Sequence, residues 1–548
     1  MFSSSLSRWA AAFISAYSIL QVTHAASPSA VLDSSFAVGS GAGFPSDGTS
    51  WPQVTTLAVQ NDGKVVAGGQ AYFTNYNGTP INYICRINTN GTLDSAFQAN
   101  VGSGPAGSGL TLSKIVVQPD GKILVGGTFS TFNGTNRSGL TRLNTDGSVD
   151  TTFIGTNSGA GGTFAPNVAA IALQADGKII AGGFFYTFNG TAVPSVARLN
   201  SDGTVDHSFA VPALQGFSVG AVGAQTDGKV FVGGTFTSWN GFTTPGIVRL
   251  NTNGSVDSVF SPTHPNPFPS ITALYAPGDG SVFVGGSVQG TTTNTTRYFA
   301  HLTSTGAIDP TYPTPDGPVA DIQPWPFGGL LVGGRFRNVA AQSRGDMCYF
   351  DGSGNLDVTF APQPFAVASN DIVHIYSIGV APDGKIVFGG WFTNYPNNTQ
   401  LNGQDYSGIG RFIGTPILTY SNWVASFGLT AANNGAGQDP DGDGVPNLFE
   451  YYSGTNPTNQ ASASRPVLSF VQVTAQTYPA ITFTHSKSAV GVTLTTKVSS
   501  NVAFTDALGS TLFSTTDLGN GTEQVVIRSN TSVAAVPTQF LEILLQFP

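Results

Sequence analysis

The side chains best suited to chemistry lie in one short acidic stretch, D-P-D-G-D-G-V-P-N-L-F-E, at residues 439–450. It places oxygen-bearing side chains at positions 1, 3, 5, 9 and 12 and glycine at position 6. A loop with this spacing supplies the six or seven oxygen ligands that Ca²⁺ requires. An ordinary Asp/Gly turn is the alternative, but every ligand position here is filled. The stretch therefore predicts one calcium site, with these ligands: Asp439, Asp441, Asp443, the backbone carbonyl of Val445, Asn447 and Glu450.

A second candidate site is a recurring aromatic residue that precedes an Asn-Gly pair or a looser variant of it. The members of this series are Tyr76, Phe132, Phe188, Trp239 and Tyr395. Repeated aromatics on one rim could stack on sugar faces, which makes a polysaccharide a candidate ligand. Packing between neighbouring units is the simpler interpretation, because aromatic rings pack well between sheets.

These residues sit in an internal repeat. The pattern L-x-x-D-G-[KS]-[IV]-x-x-G-G, or a close variant, occurs seven times, and its Gly-Gly pairs are 48–58 residues apart between Gly68 and Gly390. Repeats of this length predict stacked units that cannot bury their apolar faces alone. Each unit contains four short β-rich runs separated by turn residues, which predicts a four-stranded antiparallel sheet.

The second repeat shows the expected register. A three-residue Thr-Asp-Gly loop opposes Leu143 to Val149 and Arg142 to Asp150. The same Arg–Asp offset of eight residues recurs in four repeats and changes to His301/Asp309 and Tyr349/Asp357 in two others. A set of equivalent binding sites is one interpretation, but a cross-strand ion pair explains the pattern more simply.

The seventh repeat lacks its last strand, L-D-x-x-F, whereas Leu32-Asp33-Ser34-Ser35-Phe36 carries that motif near the N-terminus. Sharing one unit between both chain ends closes a ring of sheets. We therefore predict an all-β fold: a seven-bladed β-propeller of four-stranded blades, closed by the N-terminal strand, with Arg411 opposite Asp33. A short helical calcium-loop linker and a small C-terminal β-sandwich follow.

The pattern D-G-K-[IV]-x-x-G-G-x-F … R-L-N-x-[DN]-G-[ST]-[VL]-D-x-x-F resembles the delta-60 repeat family of secreted bacterial proteins, and this resemblance implies a propeller. Repeats five and six depart from it, with Pro277-Gly278-Asp279-Gly280-Ser281 and Pro326-Phe327-Gly328-Gly329 in place of P-D-G-K. The acidic loop resembles thrombospondin type 3 and dockerin-like calcium loops. Neither resemblance implies a catalytic activity.

The sequence contains no H-E-x-x-H or P-loop motif, and all three glutamates follow residue 449. We therefore predict a binding or scaffold protein and no enzyme. The alternative is a secreted hydrolase that uses aspartates at the propeller mouth. The aspartates outside the repeat pattern are Asp316, Asp321, Asp346, Asp371 and Asp405.

The domain boundaries follow from changes in composition. Residues 1–25 are predicted to be a secretory signal, with Arg8 before an apolar stretch and a small-residue end, so the mature chain has no transmembrane segment. The propeller is assigned to 26–416, a helix and the calcium loop to 417–460, and the β-domain to 461–548. Trp423 and Phe427 mark the predicted helix, Tyr420–Leu429. Cys85 and Cys348 are expected to be unpaired.

The formal charge of −9 and the absence of a basic stripe argue against a nucleic-acid partner. The sequence thus predicts an exported protein, secreted or at the cell surface, that binds Ca²⁺. Its expected partner is a polysaccharide or another surface protein.

Overall fold

The computed structural model describes most of the chain from residue 30 onward. The described residues are 30–36, 53–70, 72–154, 159–162, 165–211, 218–244, 246–262, 270–286, 297–325, 329–362, 372–393, 400–401, 404–405, 408–414, 424, 427, 429–430, 433–462, 464–486, 489, 492–501, 503–504, 506, 508–518 and 522–546. Tyr395, Asp371, the predicted signal and most of the predicted helix Tyr420–Leu429 lie outside these residues. Two compact units are present, Ser27–Pro416 and a second unit that contains Ile417–Pro548.

The described residues of Ser27–Pro416 form seven main antiparallel sheets, each with three main strands of which the second lies in the centre. Sheets 1 to 4 consist of Val54–Val59, Val65–Gly69 and Ile84–Ile87; Thr111–Val117, Ile123–Thr128 and Leu140–Leu143; Asn167–Leu173, Ile179–Phe184 and Val196–Leu199; and Val219–Ala224, Val230–Gly234 and Ile247–Leu250. Sheets 5 to 7 consist of Ile271–Tyr275, Val282–Gly286, Phe299–Leu302 and Ile308–Asp309; Val319–Pro324, Leu330–Gly334 and Met347–Phe350; and Ile372–Val380, Ile386–Thr393 and Ile409–Phe412.

The turns between strands have the predicted geometry. In sheet 1 the Gln60 N–H donates to the Lys64 carbonyl over 2.8 Å, which leaves a three-residue loop. Gly63 in that loop has φ +79°, a conformation that favours glycine. In sheet 2, Leu143 pairs with Val149, and the Asp150 N–H donates to the Arg142 carbonyl. The predicted register of this hairpin is therefore confirmed.

The outermost strand is reduced to one bridging residue in most sheets. The bridges are Ile87–Leu93, Leu143–Val149, Leu199–Val205, Leu250–Val256 and Phe350–Leu356. In sheet 7 the bridge to Phe412 comes from Leu32, at the other end of the unit. The helix Ser95–Val101 follows the outer bridge of sheet 1 and is capped by Asp94, whose side chain accepts the Phe97 N–H.

The first strand of each sheet contains a β-bulge, where the register shifts by one residue. The bulged residues are Thr55, Ser113, Ala169, Gly220, Thr272, Ala320 and Tyr376. Each first strand contacts the first strand of the next sheet, and that of sheet 7 contacts that of sheet 1. The Gly-Gly pairs allow this approach. A Cβ on Gly182, for example, would lie 2.6 Å from a Val219 methyl group of the next sheet.

Short hairpins of two-residue strands follow the Gly-Gly pairs. The hairpins are Asn75–Tyr76 with Thr79–Pro80, Thr131–Phe132 with Thr135–Asn136, Thr187–Phe188 with Thr191–Ala192, Ser238–Trp239 with Phe242–Thr243, Asn338–Val339 with Gln342–Ser343, and Gln400–Leu401 with Gln404–Asp405. In two of them a third short strand from earlier in the chain is added: Pro105–Ala106 pairs with Thr131–Phe132, and Ala160–Gly161 pairs with Thr187–Phe188.

The second unit has two sheets. Sheet 8 has the strand order Val467–Val473, Gln476–Ser486, Thr522–Ser529, Ser510–Asp517, and sheet 9 pairs Thr493–Ser499 with Phe540–Gln546. Both contribute to one apolar cluster, which includes Phe483 and Leu494. The helix Asn447–Ser453 ends at Gly454, φ +76°, and a 3₁₀ turn spans Gln460–Ser462.

Cys85 and Cys348 are free and buried, which confirms the expectation for both. Among the described residues, no helix is long and apolar enough to cross a membrane.

Candidate functional site

The recurring Arg–Asp pair is the centre of a larger contact group. In sheet 3, Arg198 Nε donates to Asp206 over 2.8 Å, and the Lys178 ammonium lies 3.1 Å from the same carboxylate oxygen. The guanidinium also lies 4.6 Å from the centre of the Phe209 ring. Three recurring positions of the motif, the Lys of D-G-K and the Asp and Phe of D-x-x-F, thus surround one arginine. We call this group the arginine staple.

Each staple reaches the following sheet. Arg198 Nη1 donates to the Thr252 carbonyl of sheet 4 over 2.7 Å. The equivalent bonds run from Arg86 to Thr145, from Arg142 to Ser201, and from Arg249 to Ser304. The Arg–Asp pair therefore has a structural role, because it orients a guanidinium that joins neighbouring sheets.

The last staple contains residues from both ends of the unit Ser27–Pro416. Arg411 of sheet 7 donates to Asp33 over 2.9 Å, stacks 4.2 Å from the centre of the Phe36 ring, and donates from Nη1 to the Thr89 carbonyl of sheet 1 over 2.7 Å. The predicted pairing of Arg411 with Asp33 is confirmed. In sheet 5 His301 replaces the arginine and keeps the carboxylate contact, 2.9 Å from Asp309.

The prediction that the recurring aromatic residues form a ligand-binding rim is wrong. The side chains of Tyr76, Phe132, Phe188 and Trp239 are all 0% exposed, so they cannot stack on a ligand. The Asn-Gly pair explains their direction. Asn133 and Gly134 both have positive φ, as in the two-residue turn of a tight hairpin, which folds the preceding aromatic back onto its own sheet. Phe132 packs edge-to-face against Phe129, and Trp239 against Phe236.

The candidate aspartates do not form a common site among the described residues. Asp316 accepts the N–H groups of Arg337 and Asn338. Asp321 accepts N–H groups of Ile322 and Ile378. Asp346 is buried, and burial raises its pKa to about 8. The side chains of Asp371 and Asp405 lie outside the description.

The acidic loop has the local geometry expected of a cation site. Asp439, Asp441 and Asp443 each offer one carboxylate oxygen within 4.8 Å of the others. Asp439 also organises the turn, because its two oxygens accept the N–H groups of Gly442 and Gly444 over 2.9 and 2.8 Å. Gly444, at loop position 6, has φ +86°.

Four oxygens of this loop are buried and have no hydrogen-bond partner among the described residues. They are Asp441 Oδ2, Asp443 Oδ2, Asn447 Oδ1 and Glu450 Oε2. Buried polar atoms are rarely left unpaired. These four belong to loop positions 3, 5, 9 and 12, so the unpaired atoms coincide with predicted ligand positions.

Hydrogen bonds from neighbouring segments hold the loop in place. The Asn447 amide nitrogen donates to the carbonyls of Asn433 and Gly435, which leaves its oxygen unpaired. Arg465 donates to the Asp443 carbonyl and Gln460 to that of Asp441. Burial, with the nearby charges of Asp441 and Asp443, raises the pKa of Glu450 to about 7. The carboxylates of this loop therefore lie close enough to raise one another's affinity for a proton or a cation.

A polar cavity of about 100 Å³ lies between the first strands of the seven sheets. Its wall includes the bulged residues and the residues that follow them. Three of the following side chains join adjacent sheets: Thr56 Oγ1 accepts the Ile115 N–H, Asp321 Oδ2 accepts the Ile378 N–H, and Ser377 Oγ accepts the Leu57 N–H. We call these contacts bulge latches.

Sequence reasoning missed the bulge latches and the sheet-to-sheet bonds of the arginine staples. The recurrence of Lys after Asp-Gly was visible, yet its carboxylate partner lies 28–30 residues away, as in Lys64 to Asp94 and Lys122 to Asp150. Only the three-dimensional arrangement of the strands shows which carboxylate it meets.

Comparison with known proteins supports the repeat assignment. The family model described as "Domain of unknown function (DUF5122) beta-propeller" matches residues 60–97, 118–153, 174–209, 225–260 and 381–403. These stretches fall in sheets 1 to 4 and sheet 7, the sheets whose motifs are most regular. A search of curated proteins gave no match. The chain is a β-propeller repeat protein.

Proposed function

We propose that this protein is an exported scaffold built on a closed ring of seven blades, with one structural Ca²⁺ site in its second unit. The observation that carries the scaffold function is the series of arginine staples. The recurring charged residues of the repeat are used to join sheets, so the repeat builds a framework.

The proposed ring is supported by contacts between sheet 7 and sheet 1. Arg411 donates to the Thr89 carbonyl of sheet 1, and the Leu57 N–H of sheet 1 donates to Ser377 of sheet 7. The Leu32–Phe412 bridge and the Arg411 bond to Asp33 hold the N-terminal segment on sheet 7. In a ring shared between both chain ends, the N-terminal strand covers the third strand of sheet 7, and only short outer edges remain, which protects against aggregation.

The proposed Ca²⁺ ligands are the side chains of Asp439, Asp441, Asp443, Asn447 and Glu450, with the Val445 carbonyl. Bound Ca²⁺ would supply the positive charge that these carboxylates lack. The neighbouring helix transmits the effect of binding, because Tyr452 packs against Phe483 and His485 of sheet 8. Calcium is therefore expected to stabilise the proposed C-terminal β-sandwich.

The calcium site is tested by calorimetry on the full chain. We expect Asp443→Ala to weaken Ca²⁺ binding by more than about tenfold, since a charged ligand is lost. Asp62→Ala is the matched control, because Asp62 occupies an Asp-Gly turn of sheet 1 and, within the described part of the chain, accepts only the Lys64 N–H. Equal affinity in the wild type and Asp443→Ala would place the cation elsewhere.

Export and partner choice rest on the sequence. We propose cleavage after Ala25 and a polysaccharide or another surface protein as the partner. Mass spectrometry of the exported chain should give a mature form that begins at Ala26. A glycan array with Ca²⁺ and with EDTA tests the polysaccharide, and an array without retained glycans in either condition would favour a protein partner.

A further inference from the structure

The bulge latches are present in only part of the ring. In a latch, the residue after a bulge accepts an N–H from the next sheet. At the corresponding position, sheets 2, 3 and 4 contain Lys114, Ala170 and Ala221, none of which offers a side-chain acceptor. The N–H groups that would have been latched belong to Ile171, Val222 and Leu274, in three successive sheets.

The strand register directs these N–H groups away from their own sheets. Ile171 pairs with Ala181 and Val222 with Val232, in the same register as Leu57 with Ala67 and Ile115 with Val125. Leu57 and Ile115 donate to bulge latches, so their N–H groups point to the neighbouring sheet near the cavity. In antiparallel pairs, residues between the hydrogen-bonded pairs direct their N–H groups outward in this way.

The three N–H groups therefore line one arc of the cavity wall. Ile171, Val222 and Leu274 are all lining residues, and their register turns their N–H groups away from the second strand of their own sheets. Lys114 lines the same cavity, and its ammonium group has no acceptor in the described part of the chain. Adjacent amides and an amine form an environment that favours an anion.

The opposite wall restricts the charge of that anion. Asp321 lines the cavity, and its oxygens are already occupied by the N–H groups of Ile322 and Ile378 and by the Gln323 amide. The Lys114 ammonium attracts the ligand, whereas the Asp321 carboxylate repels each negative charge that the ligand carries. A ligand with one negative charge is therefore favoured over a ligand with two. A monoanion with further oxygen acceptors satisfies both conditions.

We propose that this arc of the central cavity binds a small carboxylate that has additional hydroxyl oxygens, such as a hydroxy acid or a sugar acid. The carboxylate would accept from the Lys114 ammonium and the adjacent amides, and its other oxygens would accept from the remaining N–H groups. A cavity of about 100 Å³ has room for such a molecule or for several waters. The inference rests on the proposed ring, which encloses the cavity.

The test is calorimetric titration of the full chain with glycerate, glucuronate, inorganic phosphate and, as the neutral counterpart, glycerol. We expect glycerate or glucuronate to bind and glycerol not to bind. Lys114→Met should weaken carboxylate binding roughly tenfold, the effect of one charged hydrogen bond. Phosphate binding more tightly than both carboxylates would overturn the assignment of ligand class.

Two serine substitutions separate the site from the fold. Ala221→Ser adds the hydroxyl that Ser377 supplies in sheet 7, so it should latch the Leu274 N–H, weaken carboxylate binding severalfold and keep the unfolding midpoint. Ala273→Ser is the matched control, because the N–H it would reach, that of Ile322, already donates to Asp321.

Equal carboxylate affinity in the wild type, Lys114→Met and Ala221→Ser would overturn the proposal, as would the absence of heat with every anion. Failure of the ring is distinguishable from these outcomes. An open ring would leave cysteines introduced at positions 31 and 413 reduced under oxidising conditions, whereas the anion site would fail in a ring in which that disulfide forms.

Discussion

Asp346 is the clearest case in which one buried group should control stability. It is 7% exposed, and burial raises the pKa of its carboxyl to about 8, although Arg335 and Arg337 act in the opposite direction. In the unfolded chain an aspartate titrates near 3.8. The folded state therefore retains a proton that the unfolded state loses, and stability should fall as the pH rises from about 4 to about 8.

We expect Asp346→Asn to remove this decline. The variant should match the wild type near pH 4 and exceed it in unfolding midpoint at pH 8 to 9, measured by denaturant titration across that range. Asp316→Asn is the control, because hydrogen bonds from Asn338 and Arg337 outweigh the burial that raises the pKa of Asp316 and lower it overall. A wild-type pH profile in Asp346→Asn would assign the titration to another group.

Single residues were predictable where local geometry determines their role. The left-handed turn glycines depend on spacing within a few residues, so the sequence is sufficient to predict them. The proposed calcium ligands rest on the same kind of local spacing. The aromatic series was not predictable in the same way. Whether Trp239 faces solvent or its own sheet depends on how the following hairpin folds, and the same alternation of residues permits both.

At the scale of the elements, the arginine staples are expected to contribute more than surface ion pairs. The side chains of Arg198 and Asp206 are 7% and 10% exposed, and the guanidinium also bonds to the next sheet. Removing Arg198 leaves the buried Asp206 carboxylate with the more exposed Lys178 as its remaining cationic partner among the described residues, at a cost of about 3 kcal/mol.

We therefore expect Arg198→Ala to lower the free energy of unfolding by about 3 kcal/mol, measured by denaturant titration. Lys497→Ala is the comparison, because Lys497 forms a 3.4 Å pair with the partly exposed Glu542 and should cost less than about 1 kcal/mol. Similar small losses in both variants would mean that the staples do not stabilise the contact between sheets.

The sequence indicated the elements well but not their contacts across repeats. The eight-residue offset of Arg142 and Asp150 lies within one hairpin, and the structure has that register. The bond from Arg142 to Ser201 spans 59 residues and depends on where the next sheet packs. The bulge that aligns Thr56 with the Ile115 N–H leaves no local sequence signal, so the cavity and its latches required the structure.

At the scale of the whole molecule, the main feature is the contact between the two ends of the unit Ser27–Pro416. The missing last strand of repeat seven and the isolated L-D-x-x-F motif near the N-terminus predicted the contact between Asp33 and Arg411. Closing the proposed ring through residues almost 380 positions apart carries an entropic cost, but that cost grows only slowly with loop length. The Arg411 staple, the Leu32–Phe412 bridge and the Ser377 latch are the contacts expected to offset it.

Cysteine cross-linking at this junction tests the closed ring most directly. The Ile413 N–H donates to the Val31 carbonyl over 2.7 Å, and both side chains are exposed. Such a pair has the separation a disulfide needs. Val31→Cys combined with Ile413→Cys should oxidise to an intramolecular disulfide in the folded protein and raise the unfolding midpoint. Val31→Cys with Val358→Cys, an exposed position on the outer edge of sheet 6, should stay reduced. Free thiols in the first pair under oxidising conditions, or equal cross-linking in both pairs, would contradict the closed ring.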